Sequence, residues 1–267
     1  MKSTLKKISR YPVKGLSEEV LTEVEVTQGR GLPGDRQFAL ALADTEFDAL
    51  NPRALPKTMF VMLARFAKLA GLSSSFDAVT STLVLRAAGT TLATGCLKTQ
   101  TGRRAIEEAI ARFMGDDLGE LPRVVEAEGH RFTDVSVESP VLMEAVSMIN
   151  LASVRDLEGK LGRAVDPRRF RANLLVDGLD PWQEFDLIDK EFTIGGIRVK
   201  GLRRTRRCPA TEVNPDTAER DIRVPLELRQ HYGHGDNGIY LSILSNGALR
   251  EGDAVAIGSM RERPNRE

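Results

Sequence analysis

Short apolar stretches separated by turn residues limit this chain to a mainly β architecture. Over residues 20–42, valines alternate with polar residues before a Gly- and Pro-containing loop and a second apolar run, which predicts strands of a meander. Hairpins are predicted around Ala88-Gly89 and Gly195-Gly196, because two small residues between apolar runs are typical of tight turns. Residues 44–58 are predicted to form an irregular loop. Few β-α-β units occur, which argues against a doubly wound nucleotide-binding sheet and predicts β-barrels with a few covering helices.

Three segments have the periodicity of helices. The clearest runs from about Thr101 to Met114, where apolar residues recur at helical spacing and Thr101 is placed to cap the first turn. A second helix is predicted over 153–161 with Ser153 at its start, and a third over 225–232. Turn-forming residues follow Met114, so we place a domain boundary there.

Composition excludes several classes of protein. The 267 residues include 38 basic and 38 acidic side chains, and 5% are aromatic, so no overall field attracts nucleic acid or an anionic membrane. A local nucleic-acid site at residues 203–207 is the least favoured function. The first fifteen residues lack the apolar centre of a secretory signal, and no stretch approaches the roughly 20 apolar residues of a membrane span. We therefore expect a cytoplasmic protein without nucleic-acid or membrane partners.

The two cysteines differ in their neighbours. Two cysteines exclude a disulfide scaffold or a four-cysteine cluster within this chain. Cys208 directly follows the segment 203–207, in which four of five residues are arginine. Guanidinium groups beside a cysteine favour its thiolate, the form that ligates soft metals or attacks electrophiles. The alternative is a solvated basic run beside a structural thiol. Cys96 has no charged cluster beside it, and we predict an inert packed residue there.

Other basic residues are candidate anion ligands. The cluster 168–171 precedes a predicted strand and is followed by Asn173, while Lys14 and Arg36 lie at strand-to-turn junctions. Arginine forks bind phosphate through two hydrogen bonds, and an asparagine adds a neutral one. The alternatives are surface ion pairing, for example with Asp166, and ordinary turn chemistry.

The histidine-rich stretch near the C-terminus has no assigned role. His231, His234 and Asp236 alternate with glycines. A proton shuttle or a contact behind a metal ligand is one interpretation. A flexible glycine-rich loop is the other.

Several motifs occur in an order that points to one family. The most specific is an Arg-Cys pair followed by Thr-x-Val-Asn-Pro-x-Thr. The motif segments are 11–14, 34–36, 150–153, 169–173, 207–217 and 252–255. Together they resemble the two-domain proteins of the MOSC family (molybdenum cofactor sulfurase C-terminal domain). Ala172 stands where the family usually has proline, and Arg206 where it often has serine.

The resemblance implies a fold, a cofactor and site residues. The fold would be a MOSC N-terminal β-barrel-like domain at 1–118 and a MOSC domain at 119–260. The cofactor would be molybdenum-molybdopterin, with Cys208 as metal ligand and catalytic residue. By the same matching, the residues that hold the cofactor would be Lys14, Arg36, Arg171, Asn173 and, beside the metal, Arg207.

Relatives of this layout include the amidoxime-reducing component and bacterial reductases of N-hydroxylated bases. The resemblance therefore implies a molybdenum-dependent oxidoreductase that acts on a small molecule. Its electrons would come from an external donor, a ferredoxin- or flavin-type reductase, because this chain lacks the cysteines for a cluster. The rival function is a non-catalytic carrier of the cofactor or of sulfur, as in the C-terminal part of cofactor sulfurases.

Overall fold

Strands predominate over helices in the computed structural model, which describes residues 2–257. The strands of this part are β1 (Thr4–Arg10), β2 (Glu19–Leu21), β3 (Glu23–Val26), β4 (Ala39–Ala41), β5 (Leu72–Asp77), β6 (Thr82–Ala87), β7 (Thr90–Cys96), β8 (Arg123–Val125), β9 (Val146–Asn150), β10 (Leu174–Asp177), β11 (Glu191–Ile194), β12 (Ile197–Arg206), β13 (Asp236–Ile243), β14 (Gly247–Arg250) and β15 (Val255–Ala256). Its helices are α1 (Gln100–Met114), α2 (Pro140–Met143), α3 (Leu151–Leu161) and α4 (Val224–Tyr232). The mainly β prediction is confirmed.

The largest sheet curls until its ends meet. Its order is β15-β11-β12-β13-β9-β10-β1-β2, and only the β9–β10 pair is parallel. A bridge between Thr4 and Ala254 then joins β1 to the segment that leads into β15, and the Leu5 amide donates to the Asp253 carbonyl at 2.8 Å. The segment at one edge of the sheet thus reaches β1 near the other edge, while β2 pairs with β1 alone, so the sheet curls into a barrel that is closed at Thr4 and Ala254. Its interior holds an apolar core that includes Leu5, Met148 and Leu241, all fully buried.

A second apolar core lies between α1 and the meander of β5, β6 and β7. Ile106 and Ile110 of α1 pack there with Phe38 and Leu85. The helix approaches β7 closely at Gly102, where an added Cβ would stand 2.2 Å from the Cys96 carbonyl oxygen. A glycine is required for that close contact, which fixes α1 against the meander.

Both predicted helix caps are displaced. The cap of α1 is Thr99, whose hydroxyl accepts a hydrogen bond from the Gly102 amide, so the prediction of Thr101 as cap is wrong. Asn150 caps α3 by accepting from the Ala152 amide, so Ser153 is not its cap either. The Ser153 hydroxyl instead donates to Glu184 at 2.8 Å. Both helix bodies match their predictions, as does α4.

Strands from both sides of the proposed boundary contribute to one barrel. β1 and β2 precede residue 118 yet extend the sheet formed by β9 to β13, and β3 pairs with β14. The division into 1–118 and 119–260 stays a prediction, and residues 258–260 lie outside the described part. Within residues 2–257, no helix combines the length and apolar character needed to cross a bilayer.

Candidate functional site

A cavity of about 430 Å³ lies between the barrel and the N-terminal part of the chain. All six candidate residues from the sequence line it, although they are up to 194 positions apart along the chain, from 14 to 208. The structure thus brings all six to one cavity, and their roles stay predictions. The six are Lys14, Arg36, Arg171, Asn173, Arg207 and Cys208.

Cys208 lies just beyond the end of β12, where the chain turns away from the barrel. Pro209 begins a short 3₁₀ turn, and Thr211 donates from its amide and its hydroxyl to the Cys208 carbonyl, at 3.0 and 2.9 Å. The proline and these two hydrogen bonds fix the backbone at the cysteine. Its thiol is free and partly exposed to the cavity, so it is accessible to a ligand.

The arginine run before Cys208 divides between two sides of the strand. Arg203, Arg206 and Arg207 line the cavity, whereas Arg204 lies over the Phe185 ring on another face, 4.2 Å from the ring centroid. Side chains of a strand alternate between its faces, and a register shift between Arg204 and Arg206 interrupts this alternation near the end of β12. Fewer guanidinium groups therefore face the thiol than the sequence run suggests.

Arg207 is buried and held by carbonyl oxygens. Its Nε donates to the Asn237 carbonyl at 2.8 Å, and its Nη1 donates to the Phe170 carbonyl at 2.9 Å. Burial lowers the pKa of Arg207 to about 10, so the side chain is still cationic at neutral pH. No carboxylate of the described residues lies within 4.0 Å of its guanidinium.

Arg36 and Arg171 enclose one aromatic ring. Their guanidinium carbons lie 4.5 and 4.2 Å from the centroid of the buried Tyr11 ring. Both arginines have a left-handed backbone, with φ of 47° and 49°, which is uncommon outside glycine and is often found at functional sites. Arg36 donates two hydrogen bonds to Asp35. Arg171 has no carboxylate partner among residues 2–257, and burial lowers its pKa.

Two lysines share the carboxylate of Asp134. The ammonium of Lys14 donates to Asp134 and to the Phe132 carbonyl, while Lys57 donates to the other carboxylate oxygen at 3.0 Å. Although burial acts in the opposite direction, Lys14 and Lys57 hold the pKa of Asp134 well below its usual range. Burial lowers the pKa of Lys14, although the neighbouring carboxylate of Asp134 acts to raise it.

Asn173 ties three strands together. Its Oδ1 accepts from the amide and the hydroxyl of Ser147, at 3.1 and 2.9 Å, and its Nδ2 donates to the Ser9 carbonyl at 3.1 Å. These bonds connect β9, β10 and β1 directly behind the cavity. The role that the geometry supports best for Asn173 is therefore to hold the cavity wall.

Positive charge dominates the cavity. Eight basic side chains line it against two carboxylates, those of Asp134 and Glu138, although the whole chain is neutral. Two hydroxyl groups in the lining, Thr133 Oγ1 and Thr205 Oγ1, are buried without a hydrogen-bond partner. Buried polar groups are almost always paired in folded proteins. Uncompensated cations and unpaired hydroxyls together point to an anionic ligand with hydrogen-bonding groups.

Sequence reasoning missed several residues of this cavity. Lys57 belongs to the segment predicted as an irregular loop, and Asp134 follows β8 outside every motif segment of the sequence. Thr205 and Tyr240 also line the cavity. Only Thr205 carried a usable signal, because strand alternation places it on the face of Arg203 and Arg207.

The histidine-rich stretch lies apart from the cavity lining. His234 belongs to an aromatic cluster, with ring centroids 5.9 Å from Trp182 and 5.4 Å from Phe185. His231 lies 3.6 Å from Glu227 on α4. Asp236 begins β13. Within the part that the structure describes, no group of three or more His, Cys, Asp or Glu side chains is arranged to hold a metal ion.

Comparisons with known proteins relate the C-terminal half of the chain to one domain family. Residues 127–256 match the family model of the MOSC domain. Mitochondrial amidoxime reducing component 2 of Rattus norvegicus is 34% identical over 122 residues, which is 41% of this chain and 36% of that protein. Molybdenum cofactor sulfurase of Drosophila erecta is 30% identical over 141 residues, 51% of this chain and 18% of that protein. The chain thus matches about a third of the length of the first relative and less of the second.

Among solved structures, the YuaD protein of Bacillus subtilis aligns over 96% of this chain and 94% of its own, with a TM-score of 0.41 and 12% identity. YiiM of Geobacillus stearothermophilus aligns over 43% of this chain and 54% of its own, with a TM-score of 0.35 and 16% identity.

Proposed function

Because residues 127–256 are a MOSC domain, the chain belongs to that family, and we propose that it binds a molybdenum cofactor and reduces N-hydroxylated small molecules. One observation carries the proposal: a single cavity holds an accessible thiol together with eight basic side chains, of which Arg171, Arg206 and Arg207 have no carboxylate partner among the described residues. The names of the relatives, amidoxime reducing component and molybdenum cofactor sulfurase, agree with this chemistry.

The residues of the cavity fit such a cofactor. A thiolate is a soft ligand suited to a metal that already carries sulfur ligands. A pterin phosphate is an anion, and guanidinium groups bind it through charge-assisted hydrogen bonds. The unpaired hydroxyls of Thr133 and Thr205 offer further hydrogen bonds inside the same cavity. The cavity thus contains a soft metal ligand, cations and polar groups together.

The proposed roles follow from how each side chain is already engaged. Cys208 would ligate the metal. Arg171, whose charge is unmatched, would make the main contact with the phosphate or ring, with Arg36 and Lys14 adding positive charge from across the cavity. Arg207 would stabilise negative charge beside the metal from its fixed position on two carbonyls. Asn173 would act indirectly, by holding β9, β10 and β1 in register.

When bound, the cofactor would supply two-electron redox chemistry at the metal. In the overall reaction the N–O bond of R–NH–OH breaks, and two electrons with two protons give R–NH2 and water. The electrons would come from an external ferredoxin- or flavin-type donor. The protein's own part is to orient the substrate and to place fixed positive charge where the departing oxygen becomes negative.

A carrier of the cofactor or of sulfur is the second candidate. The match to molybdenum cofactor sulfurase, which extends over 51% of this chain, favours it. Such a carrier would need the same thiol and the same cations. It would differ in lacking turnover.

Two measurements on protein from cells that make molybdopterin separate these functions. Elemental analysis is expected to find close to one molybdenum per chain, and an aryl amidoxime should be reduced to the amidine with a chemical electron donor. Metal without turnover across a panel of N-hydroxylated substrates would favour the carrier. Absence of both metal and pterin would contradict the reductase and the carrier of the cofactor.

A further inference from the structure

Lys57 is a basic residue of the cavity that the family motifs do not include. It begins a short 3₁₀ turn, Lys57–Met59, in the otherwise irregular segment before β5. Its side chain extends from this segment into the cavity and contacts Asp134. A residue outside the motif set therefore reaches the same space as Cys208.

The two lysines on Asp134 differ in how much of the ammonium is engaged. Lys14 makes two oxygen contacts and its side chain is 7% exposed. Lys57 makes one oxygen contact, to Asp134, and its side chain is 30% exposed. An ammonium has three hydrogens to donate. Lys57 thus retains donors that a molecule entering the cavity can reach, whereas Lys14 is largely enclosed.

The Lys57 ammonium and the Cys208 thiol line the same cavity. Asp134 accepts a hydrogen bond from this ammonium at 3.0 Å, and an ammonium paired with a carboxylate is cationic at neutral pH. The side chain is therefore a fixed cation in the cavity. Asp134 anchors it from one side, and Cys208 marks the side where reacting groups would lie.

We propose that Lys57 donates a hydrogen bond to the oxygen of the N-hydroxylated substrate, with Asp134 as the positioning residue that holds its ammonium toward Cys208. The proposal rests on the proposed reductase function. A hydroxyl oxygen accepts hydrogen bonds, and this oxygen gains negative charge as the N–O bond breaks. A fixed cation beside it therefore stabilises the transition state more than the bound substrate.

The first experiment measures turnover in Lys57→Met, which removes the charge at similar side-chain volume. We expect kcat to fall on the order of 100-fold, the usual effect of losing one donor to a developing oxyanion, while molybdenum content stays at the wild-type level. Lys57→Arg, which keeps a cationic donor, should recover a substantial part of kcat. Lys98→Met is the matched control, because Lys98 pairs with Glu126 outside this cavity.

The second experiment needs no cofactor. In a Cys96→Ser background, the apoprotein is alkylated with iodoacetate and with iodoacetamide, and the ratio of the two rates at Cys208 is compared with that of a free thiol. The same thiolate attacks the carbon of both reagents and displaces iodide, but only iodoacetate is an anion, so the ratio of the two rates reports the local charge. Removing a neighbouring unit charge should lower the ratio by up to roughly fivefold in Lys57→Met, the effect of one charge at contact distance in water, and leave it unchanged in Lys98→Met.

The outcomes distinguish this proposal from the function it rests on. An active wild-type reductase with unchanged kcat in Lys57→Met overturns the role of Lys57 and leaves the reductase standing. An unchanged alkylation ratio in Lys57→Met also overturns it, because the ammonium then does not lie at the thiol. An inactive, metal-free wild type contradicts the reductase itself.

Discussion

The two walls of the cavity hold their positive charge in different ways. On the wall built from the N-terminal part, Lys14, Lys57 and Arg36 each contact a carboxylate, supplied by Asp134 or Asp35. On the barrel side, Arg169 and Arg203 are also paired, with Asp221 and Glu138. Arg171 and Arg207, by contrast, contact an aromatic ring and backbone carbonyls, with no carboxylate of the described residues within 4.0 Å. We call Lys14, Lys57 and Arg36 the paired wall, and Arg171 and Arg207 the unpaired wall.

The difference indicates what each wall contributes. Ion pairs on the paired wall satisfy its charges within the protein, so they support the fold and fix side-chain positions. Buried cations without counterions are unfavourable, and the unpaired wall is therefore completed only when an anion binds. Removing a cation should lower ligand affinity on the unpaired wall and protein stability on the paired wall.

Arg171→Met tests the unpaired wall and should have the largest effect. Loss of a charge-assisted contact costs about 1.5–3 kcal/mol, so cofactor affinity should fall roughly 10- to 100-fold. The free energy of unfolding of the apoprotein should change by less than about 1 kcal/mol, because the lost contact with Tyr11 is offset by removing a desolvated charge. Molybdenum occupancy and urea denaturation measure the two effects. A large loss of apoprotein stability with normal occupancy would reverse the assignment.

Lys14→Met tests the paired wall. It removes the ammonium that donates to Asp134 and to the Phe132 carbonyl, and Lys57 still neutralises part of the carboxylate. We expect the free energy of unfolding to fall by about 1–2 kcal/mol. Urea denaturation of apoprotein checks this value. If the free energy of unfolding were unchanged, this ion pair would not stabilise the apoprotein, and the two walls would not differ in the way described.

Lowering the pH should reduce the stability that the ion pairs of the paired wall contribute. The folded-state pKa of Asp134 is depressed by its two lysines, so its contribution to stability is present above the unfolded pKa of about 4 and is lost as pH falls below that value. Between pH 5 and pH 3, wild-type apoprotein should lose more stability than Asp134→Asn. Equal slopes for the two proteins would show that Asp134 is not the titrating group.

Cys96→Ser should have the smallest effect. Cys96 ends β7, lies outside the cavity lining, and contacts the Thr80 carbonyl through its sulfur at 3.3 Å. Serine can make a similar hydrogen bond, so molybdenum content and turnover should equal those of wild type. A loss of metal in this variant would mean that the single-thiol account is incomplete.

Local patterns in the sequence predicted the elements that local chemistry determines. The body of α1, the hairpins at Ala88-Gly89 and Gly195-Gly196, and the mainly β class all agree with the structure. In both hairpins the two turn residues have positive φ, as tight hairpin turns require. The cap of α1 was misplaced by two residues because Thr99 and Thr101 are both suitable hydroxyls.

Long-range features could not be predicted in the same way. Closure of the barrel pairs Thr4 with Ala254, and β14 pairs with β3 from the other end of the chain. No local periodicity encodes either contact. The partnership of Asp134 with Lys14 and Lys57 has the same origin. The cationic candidates were identifiable from the sequence, whereas only the fold shows which of them are already neutralised.

Molybdenum content of Cys208→Ser tests the central claim most directly. The change replaces one atom and hardly alters volume, so the protein should fold normally, but a serine hydroxyl is a hard and almost always protonated ligand. Wild type and Cys208→Ser are purified side by side from cells that make molybdopterin, and metal per chain and amidoxime reduction are measured. We expect near-stoichiometric molybdenum with turnover in wild type, and metal lost, or retained without turnover, in Cys208→Ser. Full molybdenum content with full reductase activity in Cys208→Ser would contradict the assignment of Cys208 as the metal ligand.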